Sequence, residues 1–247
     1  MQASADQLAR PALVNDGHFT AMQVRSGRAR GFAYHLVRLC SAHAELYGTE
    51  LDADYLRAVM QRAVESHPDA SLRVNLYESQ PGLPQVVTAI RDPVEAAERA
   101  QLLLPVDYSR PFAHIKHVGS FAQIRYGIEA NKVGYDDAVL VTSDGRICES
   151  TVANIGFLER DTVVWPEAPA LYGVTWQLLD QVLGQRGIEV RRRPVSVEYA
   201  ASFAGAFVAN SIGVVPVGRI GQHDYQPDND TFPRIRRAYD EVAWDEI

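Results

Sequence analysis

The sequence predicts an α+β protein built as two domains, and three observations carry that reading. Two helix-like segments lie among alternating strand-like ones before residue 107. The stretch Val106-Asp107-Tyr108-Ser109-Arg110-Pro111 has the turn residues and proline of a connection. From residue 113 onward, short strands separated by turns dominate. The domains expected are therefore 1–107, with an antiparallel sheet beside helices, and the larger 113–247.

In the first domain, His18 to Val24 and Gly31 to Tyr34 read as strands around the turn Arg25-Ser26-Gly27-Arg28, which predicts a hairpin. From His35 to Tyr47 the positions Leu36, Leu39, Cys40, His43 and Tyr47 fall on one helix face, apolar except for His43. Leu56, Val59, Met60 and Ala63 repeat the pattern over 52–66, and Gly48-Thr49-Glu50 separates the two helices. Leu72 to Tyr77 and Gln85 to Ile90 alternate as strands across a turn containing Pro81 and Gly82. The second domain opens on a helix predicted over 117–132. Short strands follow at Ala138 to Thr142, Arg146 to Ser150, Ala153 to Leu158 and Thr162 to Trp165. A helix from Thr175 to Gln185, strands near 188–193 and 206–209, and a helix near 232–243 complete the chain.

Composition narrows the function. With 47% hydrophobic and 22% charged residues, 247 positions suffice to bury a core and leave a cleft. The net charge of -7 and the lack of any basic stripe beyond Arg191 to Arg193 argue against nucleic acid as a partner. No apolar run approaches the roughly 20 residues that span a bilayer, and the opening MQASADQLARPALVNDG lacks a signal-peptide layout. The expectation is a cytoplasmic protein with no membrane partner and no metal. Cys40 and Cys148 are expected as separate thiols.

Of the 24 basic residues only Lys116 and Lys132 are lysines. Lys132, in Glu-Ala-Asn-Lys-Val-Gly, reads as a solvated helix end. Lys116 lies in Phe-Ala-His-Ile-Lys-His-Val, an apolar setting. Burial and nearby positive charge disfavour the ammonium form and make an amine nucleophilic. On the residues alone, a lysine snorkelling from a sheet edge is the better reading of the pattern.

The segments His35-Leu-Val-Arg38-Leu, Ile115-Lys116, Glu149-Ser-Thr-Val-Ala-Asn154 and Gly173-Val174-Thr175, in the order and spacing of the family, resemble the class IV aminotransferases, the fold type IV enzymes that use pyridoxal 5'-phosphate (PLP). The resemblance covers most of the chain. It implies a small antiparallel N-terminal sheet with helices and a larger C-terminal pseudo-barrel, a homodimer, and PLP held by Lys116 as the Schiff-base lysine. It further implies Glu149 on the pyridine nitrogen and Arg38 on the phosphate, a group that a guanidinium grips with two donors. Val174 and Thr175, at a helix N-terminus, and Asn210 and Ser211, in Phe-Val-Ala-Asn-Ser-Ile-Gly, are implied as further phosphate-side residues. The substrates implied are a small amino donor and a keto acid.

Some positions depart from the family pattern. Phe121 stands where branched-chain members place a tyrosine, and Gly156, Trp165 and Trp176 replace an aromatic, a threonine and a basic residue. The arginine and histidine that D-amino acid aminotransferases use for the substrate carboxylate have no counterpart, which leaves Arg73 as the expected carboxylate ligand. Asp16-Gly17-His18-Phe19-Thr20 and Ile115-Lys116-His117 resemble aminodeoxychorismate lyase, a pyruvate-releasing relative, and make Phe19 a second expected substrate contact. Amino transfer is the activity expected, with that lyase as the alternative.

Overall fold

A computed structural model describes residues 13–226 and 230–247, so the leaderless opening expected for the first residues lies largely outside the described part. The chain forms two compact units. The first holds the residues up to Val94 with Ile115–Ser120 and Ala243–Ile247, and the second holds Glu95–His114 and Phe121–Val242.

The first unit is a five-stranded sheet with two helices. Its strands are β1 (His18–Arg25), β2 (Arg28–Arg30), β3 (Ala70–Gln80), β4 (Leu83–Arg91) and β14 (Trp244–Glu246), in the order β14-β2-β1-β3-β4. Every pairing is antiparallel. Because side chains alternate along a strand, Met22 and Val24 of β1 and Leu72, Val74 and Leu76 of β3 share one face. They pack with Phe32, Leu36 and Leu39 of α1 (Phe32–Tyr47) and Leu56, Met60 and Val64 of α2 (Ala53–Val64). Each such side chain removed from water contributes about 1.5–3 kcal/mol. Phe19, Arg73 and Asn75 therefore fall on the opposite face, with Phe19 paired to Asn75.

Local chemistry sets the helix ends. Gly48, at φ 70°, closes α1 in the left-handed conformation that only glycine adopts cheaply, and its N–H donates to the Ala44 carbonyl. The Asp52 carboxylate accepts from Asp54 N and Tyr55 N and caps α2. Two expectations shift here. The segment Gly31 to Tyr34 is not a strand: β2 stops at Arg30, and Phe32 starts α1, its ring buried in the core and its N–H donating to Asp245 Oδ2 at 3.0 Å. The helix expected from residue 117 begins at Phe121 instead, because 115–118 runs beside β1, with Phe19 N donating to Lys116 O and Val118 N to Gly17 O.

The second unit is a nine-stranded mixed sheet. Its strands are β5 (Gln101–Asp107), β6 (Asp137–Val141), β7 (Ile147–Ser150), β8 (Asn154–Glu159), β9 (Thr162–Pro166), β10 (Glu189–Arg193), β11 (Gly205–Asn210), β12 (Gly213–Ile220) and β13 (His223–Asp224). The order is β10-β9-β8-β11-β12-β5-β6-β7, and β13 pairs with β12. Leu103, Val139, Ile147, Ile155, Phe157, Val208 and Val217 form its buried cluster. The helices are α3 (Phe121–Lys132), α4 (Val174–Leu183), the short α5 (Val197–Ala200) and α6 (Thr231–Asp240), with α4 against α6. The division between units thus differs from the boundary read at 107–113. Strand β5 pairs in parallel with β6 and β12, and β14 returns to the first sheet.

Cys40 is half-buried and Cys148 buried, and neither forms a disulfide. No helix among the described residues is long and apolar enough to cross a membrane.

Candidate active site

The expected site residues fall into two groups, one on each unit. In the first unit, Phe19 is buried on β1, and two cations lie over its ring: the Arg73 guanidinium carbon at 3.6 Å and Lys116 Nζ at 4.9 Å from the centroid. Both contacts are cation–π interactions. Arg73 Nε also donates to Asn75 Oδ1 at 3.0 Å, which fixes the guanidinium plane on the sheet face away from the helices. Lys132 is exposed and paired with Glu129, the solvated helix end read from sequence.

Behind Phe19, on the helix side of β1, lie further polar groups. Thr20 Oγ1 and His35 Nδ1 form a buried hydrogen bond of 2.6 Å. Burial, followed by the positive charges of Arg38 and Lys116, holds His35 well below the ordinary imidazole range, so it is neutral. Arg38, three residues along α1, is pushed down to about 10 by burial and remains a cation at neutral pH. A second cluster runs deeper. His18 Nε2 lies 3.2 Å from His43 Nδ1, His43 Nε2 lies 3.5 Å from Glu78 Oε1, and Glu78 accepts from Thr49 Oγ1 and Gly82 N.

In the second unit, Glu149 sits on β7, where all four residues are buried. Arg110 Nε donates to Glu149 Oε1 at 2.7 Å, and Leu171 N donates to Glu149 Oε2 at 3.1 Å. Arg110 Nη2 is anchored on the Ala113 carbonyl. Sequence reading placed Arg110 in a linker, and its only signal was being an arginine in a Ser-Arg-Pro turn; the partner lies 39 residues away.

Leu171 connects Glu149 to the start of α4. Its carbonyl accepts from Asn154 Nδ2 at 2.7 Å, and two residues on, Gly173 lies so close to Asn154 that a Cβ would meet Oδ1 at 2.1 Å. Only glycine fits this approach. Val174 and Thr175 then open α4, where backbone N–H groups have no acceptor within the helix. Thr175 Oγ1 donates to the Asn210 carbonyl at 2.7 Å, so its hydroxyl proton is committed and the backbone supplies the donors. Asn210 Oδ1 accepts from Ile212 N and shapes the two-residue turn Ser211-Ile212 between β11 and β12. Phe121 is exposed at the first position of α3. Gly156 faces the ring of Phe207, which a Cβ would strike, and Trp165 stacks on Trp176. The three substitutions after Glu149 are thus packing residues. Among the described residues no group of three His, Cys, Asp or Glu side chains could hold a metal ion.

Comparison with known proteins bears on the family and the fold. A probable branched-chain-amino-acid aminotransferase from Rickettsia felis is 36% identical over 122 residues, which are 47% of this chain and 41% of that protein. The match therefore spans less than half the length of that relative. The fold matches that of a hypothetical aminotransferase from Mycobacterium tuberculosis in its PLP-bound form, with a TM-score of 0.85 at 22% identity over 98% of this chain and 93% of the other. The same protein with α-ketoglutarate and PMP gives 0.86 at 21%, over the same shares. A 4-amino-4-deoxychorismate lyase from Pseudomonas aeruginosa gives 0.81 at 20%, over 94% and 93%. These likenesses establish the fold type IV architecture of a small antiparallel sheet and a larger curled mixed one. Residues 17–220 match the family described as Amino-transferase class IV, and the chain belongs to that PLP-dependent family.

Proposed function

We propose that the chain is an aminotransferase that moves an amino group between a small amino acid or amine and a keto acid, with PLP attached covalently to Lys116. The observation that carries this reading is the Arg73–Phe19–Lys116 arrangement of the first unit. It gives a cation able to grip a carboxylate and the amine of an otherwise lysine-poor sequence a common aromatic neighbour, the pairing an amino acid substrate requires.

The residues present fit the cofactor. Glu149 offers a buried carboxylate for a pyridine nitrogen, Arg38 a desolvated guanidinium for phosphate, and Val174, Thr175, Asn210 and Ser211 a helix N-terminus and a turn for the remaining phosphate oxygens. When bound, PLP supplies a sink for the electron pair left at the substrate's α-carbon. The protein does the rest. Glu149 would hold the ring nitrogen protonated, Arg73 would bind the substrate carboxylate, Phe19 would wall the pocket, and Lys116 Nζ, once the substrate amine has replaced it on the cofactor, would take the proton from the α-carbon. His35, kept neutral, is no competitor for that proton. The chain works as a homodimer, for which α3 offers an exposed apolar stripe of Phe121, Ile124 and Ile128 at helical spacing; sedimentation would show a single copy if this is wrong.

A second reading has its own observation. The two lyase-like segments lie side by side, with His18 bridged to His117 and Phe19 N donating to Lys116 O, so the short matches form one surface. Half-reactions separate the two. Amino donors alone should convert the bound cofactor to its aminated form, and a keto acid should restore it. Failure across a broad panel of L-amino acids, D-amino acids and amines, with pyruvate and aminobenzoate released from aminodeoxychorismate, would make the chain a lyase.

A further inference from the structure

We infer that Arg110 is a positioning residue for Glu149, fixing before any cofactor arrives which carboxylate lone pairs remain for a ring nitrogen. The inference rests on the reading of Glu149 given above and goes beyond it by assigning the residue that makes Glu149 usable. The two side chains are among the most enclosed charged groups of the second unit, 4% and 7% exposed, and meet at 2.7 Å. A buried carboxylate without a partner would either take up a proton or turn toward whatever donor it can find. Here the side chain is held from both oxygens. Arg110 Nε holds Oε1, Leu171 N holds Oε2 at 3.1 Å, and each clamp is itself anchored. Arg110 Nη2 donates to the Ala113 carbonyl, and the Leu171 carbonyl accepts from Asn154 Nδ2 at 2.7 Å. A carboxylate has about four lone-pair sites. Two are occupied, one on each oxygen, and the remaining two are held in a fixed direction. The guanidinium is suited to this because one planar group reaches Glu149 with one nitrogen and the main chain with another. A lysine would have to serve both acceptors from a single nitrogen.

A merely structural ion pair and a positioning pair differ in what they do to the ring nitrogen, and a ligand lacking that nitrogen reads the difference. Covalent uptake at Lys116 is measured, after borohydride reduction and mass analysis, for PLP and for its 1-deaza analogue, in which carbon replaces the ring nitrogen. Wild-type protein should retain PLP over the analogue by about tenfold or more, the scale of one charge-assisted hydrogen bond. Arg110→Met should lose most of that preference while its affinity for the analogue stays near the wild-type value. Arg110→Lys, which keeps the charge and guards against a variant that does not fold, should fall between them. In crystals of apo Arg110→Met the Glu149 side chain should turn away from its wild-type direction. An unchanged or increased preference in both Arg110 variants, or equal weakening of both ligands, would overturn the assignment. If wild-type protein attaches neither compound to Lys116, the reading of the site itself fails, and that result appears before any variant is made.

Discussion

Lys116 and Glu149 are held in opposite ways. Around Lys116 the main chain is fixed: its carbonyl accepts from Phe19 N and Val118 N reaches Gly17 O, while the half-buried side chain sits among an aromatic ring and other cations. Around Glu149 the side chain itself is fixed, by Arg110 and by the Leu171 peptide, inside a strand with no exposed residue. The contrast matches the work each has under the proposed function. A nucleophile that exchanges partners in every turnover requires a tethered backbone, whereas a group that holds one ring atom throughout requires a side chain with nowhere else to go.

Variants on each side should break this contrast in different ways. The largest effect is expected for Lys116→Ala, which should abolish covalent retention of PLP while Lys132→Ala leaves it intact; cofactor found on Lys132 after borohydride reduction would end the assignment. Glu149→Gln should keep the covalent attachment yet slow half-reactions by on the order of 10²-fold, the scale of one preorganised electrostatic contact. Normal turnover, or outright loss of cofactor, would make Glu149 a structural acid. Arg38→Ala should weaken PLP retention by about 2 kcal/mol, roughly 30-fold, with an unchanged melting temperature for the apo protein. Equal PLP affinity in variant and wild type would remove Arg38 from the phosphate site.

The smallest effect concerns pH and the deep cluster behind β1. Burial and then the His43 charge lower His18 to about 3, and burial lowers His43 against the upward pull of Glu78. Both rings bind protons less readily when folded than when unfolded. The stability they contribute is therefore complete above the ordinary value of 6.5 and is lost as pH falls through the window toward 3, by up to about 1.4 kcal/mol per pH unit for His18. Glu78, held low chiefly by the Thr49 hydroxyl, adds an acid loss of the same sign below its ordinary 4.5. Urea midpoints measured between pH 7 and 5 should drop for wild type and flatten for His18→Gln. Parallel curves would mean the pair is not what acid attacks.

Much of this was legible in the sequence because it depends on local pattern. The helices over 32–47 and 53–64 and the strands β1, β3 and β4 follow from residues whose periodicity is intact, with Gly48 and Asp52 marking the helix ends. What escaped depends on distant partners. Strands β5 and β12 carry Pro105 and Pro216 within their pairings. Strand β14 is three residues long and exists only because β2 offers an edge. The site divides along the same line. Lys116, Glu149, Arg38 and Gly173 stand in spaced motifs, whereas Arg110, the Leu171 peptide and the Thr20–His35 pair owe their roles to neighbours brought in by folding.

The return of β14 to the first sheet also orders events during synthesis. Phe32 and its acceptor Asp245 are 213 positions apart, and Ile247 joins the core that β1, β3 and the two helices begin to build. At ribosomal rates of about 5–20 residues per second, roughly 10 to 40 s pass between the emergence of β2 and that of the strand covering its edge. Throughout that interval the early sheet presents an unpaired edge to its surroundings. The nascent chain must finish the entire second unit before its first one is sealed, so pauses in translating residues 95–242 would lengthen the exposure of a segment made long before them.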